Sequence, residues 1–249
     1  GIRVSVGIGS SESSSTSTAK SNTAAGSTLK AGGNINLQAT DGNLTAQGAT
    51  ITAAGNVTLA ASENINLLAS SDTESTRSSS SSSSSSVGVS MGVGKGGAGV
   101  SVDVSLTRGK GQANSDSTTY TNTHVTAGQT LTMTSGKDTR LFGAVASGNT
   151  TQVTVGGNLT IESLQDRATS AASQTTTGVS VSVPVTGGGK ASASASQMRQ
   201  DSRSNYQSVN EQSALQAGDG GFNITVGAGT TLVCGVIRSS DAAVAAGKN

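Results

Sequence analysis

The chain has 249 residues, a net charge of +1, 33% hydrophobic and 12% charged residues, and 2% aromatics. So few large side chains exclude the usual thick core of a domain this size, while the near-zero net charge and single proline argue against disorder. Small residues fill the gap, which suits a solenoid that buries thin layers and satisfies its backbone coil on coil.

Ile2–Gly9 alternates apolar with small residues and reads as the end of an earlier repeat. The sequence opens in mid-pattern, without a visible signal peptide, as expected of a piece of a longer protein. From residue 33 a short unit recurs: Gly33-Asn34-Ile35-Asn36-Leu37, Gly42-Asn43-Leu44-Thr45, Gly55-Asn56-Val57-Thr58-Leu59 and Glu63-Asn64-Ile65-Asn66-Leu67. Alternation puts Ile35 and Leu37 on one side and Asn34 and Asn36 on the other. Gly-Asn pairs tolerate the turns that would punctuate strands this short. Asn34 to Asn56 is 22 residues and Asn43 to Asn64 is 21, so two strands recur together at about one β-helix coil.

Next, Ser78–Ser86 is expected to be a solvated loop or irregular strand. Val87–Gly94 and Gly99–Leu106 flank Lys95-Gly96-Gly97 as a hairpin, expected to lie on the solenoid body or extend one of its sheets. Coil units return at Gly128-Gln129-Thr130-Leu131-Thr132-Met133 and Gly157-Asn158-Leu159-Thr160-Ile161. Gly178–Val185 and Ala191–Ser196 form a second hairpin around Gly187-Gly188-Gly189. Gln197–Gln212, the most polar stretch, is expected to be extended, and Gly221-Phe222-Asn223-Ile224-Thr225-Val226 is a last coil strand.

The hairpins recur about 90 residues apart. The chain therefore reads as one β-helix segment, 1–249, with internal units of approximately 1–86, 87–177 and 178–249, and eight to ten coils. Ile35, Leu37, Val57, Leu59, Ile65, Leu67, Leu131, Leu159, Ile161 and Ile224 are expected to line the interior. Val87, Val89, Val100, Val102, Val179 and Val181 are the candidate contacts on the hairpins.

Chemistry is sparse. His124 is the sole histidine and is expected at the surface; Cys234 is the sole cysteine, expected as a small buried residue. Asp72/Glu74, Asp138/Arg140 and Asp166/Arg167 are the nearest approach to the acid pairs or acid–base grooves of polysaccharide hydrolases and lyases. They read as solvated turn charges, so no catalytic residue, metal or cofactor is expected. The spread basic residues and scarce aromatics point away from nucleic acid. No run of 18 apolar residues is present. The valine hairpins alternate like membrane-barrel strands but are shorter and lack aromatic girdles.

The Gly-Gly-Asn-apolar-x-apolar units, with Ser-rich and Gly/Val-rich inserts about 90 residues apart, resemble the haemagglutinin repeats of filamentous-haemagglutinin-like exoproteins of two-partner secretion. That group includes adhesins and the CdiA effectors of contact-dependent growth inhibition, and the inserted hairpins look most like its second repeat region. The resemblance implies an all-β, right-handed parallel β-helix with extra-helical hairpins, secreted to the cell surface of a Gram-negative bacterium. It implies an outer-membrane transporter as the parent's export partner, and a target-cell surface or outer membrane as the contact. A CdiA-like delivery segment is favoured over an adhesin stalk, with no small-molecule substrate and a monomeric chain expected.

Overall fold

Short apolar alternations bounded by Gly-Asn turns give strands of four or five residues in the first two coils. The computed structural model describes residues 2–94 and 97–249. The chain divides into two compact units: a sheet unit (Gly1–Lys20, Glu74–Asp116, Ala168–Asn205) and a coil unit (Ser21–Thr73, Ser117–Arg167, Tyr206–Asn249).

After β1 (Ile2–Asn22), which belongs to the sheet unit for most of its length, the first coil carries β2 (Thr28–Ala31), β3 (Ile35–Ala39) and β4 (Leu44–Gln47). The second carries β5 (Thr50–Ala53), β6 (Val57–Ala61) and β7 (Ile65–Leu68). The chain then leaves through β8 (Ser70–Gly94) and returns through β9 (Gly97–Thr121). The third coil is β10 (Thr123–Ser135) and β11 (Thr139–Phe142), the fourth β12 (Ala144–Val155) and β13 (Leu159–Glu162). A second excursion, β14 (Asp166–Thr186) and β15 (Ser192–Ser208), precedes the fifth coil of β16 (Ala214–Val226) and β17 (Thr230–Val233). β18 (Val236–Arg238) begins a sixth coil, followed by helix α1 (Asp241–Ala245), capped by the Ser240 hydroxyl accepting from the Ala243 backbone N–H.

Every coil strand pairs in parallel with its counterpart one coil away. Ile35 sits on Val57 and Leu44 on Ile65, so the repeat steps of 22 and 21 residues become register. Inward columns result: Leu29–Ile51–Val125–Ala146–Leu215–Ile237 on one wall, Leu37–Leu59–Met133–Val153–Ile224 on the next, and Ala46–Leu67–Leu141–Ile161–Leu232 on the third. Ile35, Val57, Leu59, Ile65, Leu67, Leu131, Leu159 and Ile161 are buried in one core, and Leu37 and Ile224 pack half-buried against it.

Polar residues inside this core are matched. Thr151 Oγ1 donates to the Gln216 carbonyl at 2.7 Å, and Ser135 and Thr139 pair at 2.8 Å. At one corner a ladder of side chains runs up the stack. Asn43 Oδ1 accepts the Asn64 backbone N–H, Asn64 Oδ1 that of Asp138, Asp138 Oδ1 that of Asn158, and Asn158 Oδ1 that of Gly229, all within 2.8–3.1 Å. Each rung satisfies a turn N–H that no strand pairs.

Three expectations need correcting. The stack has five coils and the start of a sixth, not eight to ten, because the excursions take residues that would otherwise wind coils. Ser78–Ser86 is neither loop nor irregular: it lies within the continuous strand β8, since partners on both sides supply the backbone pairing that serine's own preferences do not. The hairpins do not extend the coil sheets; they and β1 form a separate sheet in the order β1-β8-β9-β14-β15. Lys95 and Gly96 of the first expected turn lie outside the described residues. At the second turn Gly187 and Gly188 take φ of 94° and 71°, a conformation that other residues adopt at a cost.

Candidate contact surface

Strands of alternating valine and small residues acquire two unlike faces as soon as they pair. Cross-strand contacts show which residues share a side. Ser90 and Ser101 pair at 2.8 Å, Ser86 and Ser105 at 2.7 Å, and Ser180 and Ser194 at 2.7 Å. A Cβ on Gly7 would stand 3.2 Å from the Cα of Gly88, so glycine lets β1 and β8 lie close. These partners run in opposite senses along neighbouring strands, so the sheet is antiparallel, and the serines and glycines that alternate with its valines occupy one face.

That face carries one charged cluster. Asp103 accepts from Ser182 and from Ser90 (2.6 Å), and Arg3 lies 3.4 Å away. The Ser182 and Ser90 hydroxyls, with Arg3 beside them, hold the Asp103 carboxyl below its ordinary pKa. Ser90, 2% exposed, is the one buried side chain of the sheet unit among the described residues.

The intervening residues share the opposite face: Ile2 to Ile8 on β1, Val87 to Val93 on β8, Val100 to Leu106 on β9, Val179 to Val185 on β14, and Ala193 and Ala195 on β15. Of the candidate contacts, Val87, Val89, Val179 and Val181 are exposed, at 55%, 46%, 44% and 38%, while Val100 and Val102 on the central strand are half-buried. The larger extent was missed from sequence: Ile2, Val4, Val6, Ile8, Met91, Val93, Val104, Leu106, Val183 and Val185 belong to the same face and are also exposed. The signal was available in the alternation of Ile2–Gly9, but not the pairing that joins it to the hairpins.

The remaining candidates are structural. Asp138, with Arg140 3.2 Å away, is a rung of the corner ladder; the Asn158 backbone N–H is the main reason its carboxyl sits below its usual range. Asp72 Oδ1 accepts the Ala24 backbone N–H at 2.7 Å, and Asp166 Oδ1 that of Tyr120 at 2.8 Å. Both tie chain segments where an excursion begins. Asp166, expected as a solvated turn charge, is instead buried, and Asn210 donates to its other oxygen. Glu74 and Arg167 are exposed. His124 lies 2.9 Å from Glu211 at the surface. Cys234 is exposed rather than buried, at a corner after β17 with φ of 51°, where its carbonyl accepts from the Ser163 hydroxyl. Among the described residues, no three His, Cys, Asp or Glu come together as a metal site, and no helix is long and apolar enough to cross a membrane.

Comparison with known proteins adds lineage to this geometry. The Hemagglutinin repeat family matches residues 8–178. The chain is 40% identical over 240 residues to a protein named deoxyribonuclease CdiA from Dickeya dadantii, covering 96% of the chain and 7% of that protein. It is 41% identical over 240 residues to a 16S rRNA endonuclease CdiA from Enterobacter cloacae (96% and 7%), and 37% identical over 251 residues to a toxin CdiA from Escherichia coli (96% and 8%). The chain thus spans less than a tenth of the length of these three relatives. No solved structure matches it.

Proposed function

The chain belongs to the hemagglutinin-repeat family and is homologous to the repeat region of CdiA toxins; from this we propose that it is a structural and surface-contacting segment of a CdiA-like effector. In this reading it engages the outer membrane of a target cell and assists toxin delivery in contact-dependent growth inhibition. The parent is exported by an outer-membrane transporter of two-partner secretion to the surface of a Gram-negative cell. The nuclease activities in the relatives' names are said of much longer proteins and are not assigned to this segment.

The observation that carries the proposal is the exposed apolar face of the five-stranded sheet. Its valine runs span seven residues, as from Val87 to Val93, or about 23 Å at about 3.3 Å per residue, near the roughly 25 Å apolar band of outer-membrane barrels. Five strands at about 4.8 Å give a footprint of about 550 Å², at the upper end of apolar patches on ordinary monomers. Transfer of that area out of water is worth about 14 kcal/mol before the costs of association. The coil unit offers no comparable surface, because its large apolar side chains point mostly inward.

Flotation with outer-membrane lipid vesicles tests this directly. The chain is expected to float, and a variant carrying Val89→Ser, Val104→Ser and Val181→Ser to remain at the bottom. A chain that stays at the bottom, or a triple variant that floats like the parent, ends the membrane reading.

A further inference from the structure

An apolar face suited to a membrane must also survive in water, and nothing in the described residues of the sheet unit covers it. We infer that in aqueous solution this face is covered by the same face of a second copy of the chain, packed sheet on sheet. The inference rests on the reading of that face as the contact surface and adds what occupies it before contact.

Size is the first argument. Two such faces remove about 1,100 Å² even as flat footprints, above the roughly 1,000 Å² a specific interface needs. Composition is the second. Across Val6, Val87, Val89, Val102, Val104 and Val181 the face is valine, with no charge and no polar atom to strand on pairing. Charges on that side start only beyond it, at Glu12 and Arg108. Valine is stiff at χ1 and fits a pleated surface, so little side-chain freedom is lost when two faces meet about 10 Å apart. Symmetry is the third, since a patch uniform in side-chain type is self-complementary about a two-fold axis. Aromatic residues, which anchor proteins at a lipid interface, are absent from the face: the chain's Tyr and Phe are Tyr120, Tyr206, Phe142 and Phe222. A sandwich of two sheets needs none. A second copy on this face departs from the monomer expected from the sequence, an expectation that did not take in that the apolar residues of five strands share one side.

Sedimentation equilibrium of the whole chain under reducing conditions, which keep the exposed Cys234 from linking copies, reads the prediction. The parent is expected at twice 24.2 kDa. Val104→Lys with Val181→Lys should weaken association at least about tenfold while far-UV circular dichroism and hydrogen exchange stay unchanged. As a second readout, a nitroxide on Val104→Cys in a Cys234→Ser background should be broadened by its twin across sheets about 10 Å apart. A parent that stays monomeric at its highest soluble concentration overturns the inference. So does a dimer that the lysines leave intact and whose labels stay narrow, because association would then run along strand edges. Vesicle flotation in parallel separates the two readings. A dimer that never floats keeps the pairing and ends membrane engagement, and a monomer that floats does the reverse.

Discussion

The coil unit and the sheet unit use the same apolar–polar–apolar alternation and reach opposite outcomes. In the coils, Val57, Leu59, Ile65 and Leu67 are 0% exposed, because three walls turn their apolar sides toward one axis. In the sheet, Ile8 is 86% and Val87 55% exposed, because five strands make one layer with no second layer among the described residues. Alternation sets which residues share a side; only the path of the chain sets whether that side is inside. The sheet unit holds its shape through strand pairing and small polar contacts, while the coil unit adds a hydrophobic core to both.

The largest effect expected on that contrast comes from a charge in the coil core. Leu59→Asp places a carboxylate without a partner among buried aliphatics and should cost several kcal/mol, on the order of 3 or more. The same change at Val89 should cost the monomer less than about 0.5 kcal/mol. Urea unfolding of both variants, at concentrations too low for pairing, measures the difference; equal costs would mean the two faces are not inside and outside as described.

Thr123→Val should come next. Thr123 Oγ1 accepts the Ala49 backbone N–H at 3.0 Å and donates to the Leu68 carbonyl at 2.6 Å. Valine leaves the Ala49 N–H unmet, while the Leu68 carbonyl keeps the Gly48 N–H at 2.9 Å, so the cost should be about 2 kcal/mol in the same unfolding assay. The ladder is more forgiving because its rungs reach solvent. Asn64→Ala removes the acceptor of the Asp138 N–H and should cost about 1 kcal/mol.

The smallest effect is that of acid, and it touches both units. Asp103 and Asp116 in the sheet, and Asp138 in the ladder, have pKa values held below 3.8, by Ser182 and Ser90, by Arg77, and by the Asn158 N–H respectively. A depressed folded pKa gives stability that is complete above the unfolded value and is lost as pH falls through the folded one. Thermal midpoints should therefore be insensitive to these groups at neutral pH and fall below about pH 4. Asp138→Asn keeps the acceptor and removes the titration, so it should blunt the acid loss in the coil unit alone.

The coil pattern was legible because Gly-Asn turns and aliphatic pairs repeat at a step that stacking converts directly into register, as with Asn34 over Asn56 and Asn43 over Asn64. The sheet was less legible. Ser78–Ser86 has no alternation of its own, and its strand character comes from partners far off in sequence, such as Ser14 opposite Ser81. Asp166 looked like a turn charge because nothing local announces that Tyr120 and Asn210 converge on it. The valines were visible as hairpins, but their union into one face depends on β9 pairing with β14 and on β1 pairing with β8, neighbours that no hairpin turn connects.

Thr123 has a counterpart 90 residues on. Ser213 Oγ accepts the Ala144 N–H at 3.1 Å and donates to the Glu162 carbonyl at 2.6 Å. Each hydroxyl fastens the residue where the chain comes back, just past β9 or β15, to the carbonyl where it left, at the end of β7 or β13. Every excursion is thus latched shut at its base, and the winding of the coils does not depend on how far the excursion travels. Such a latch makes the inserted hairpin an exchangeable cassette: evolution or an engineer can swap its length and sequence while the thread of the spiral continues unbroken.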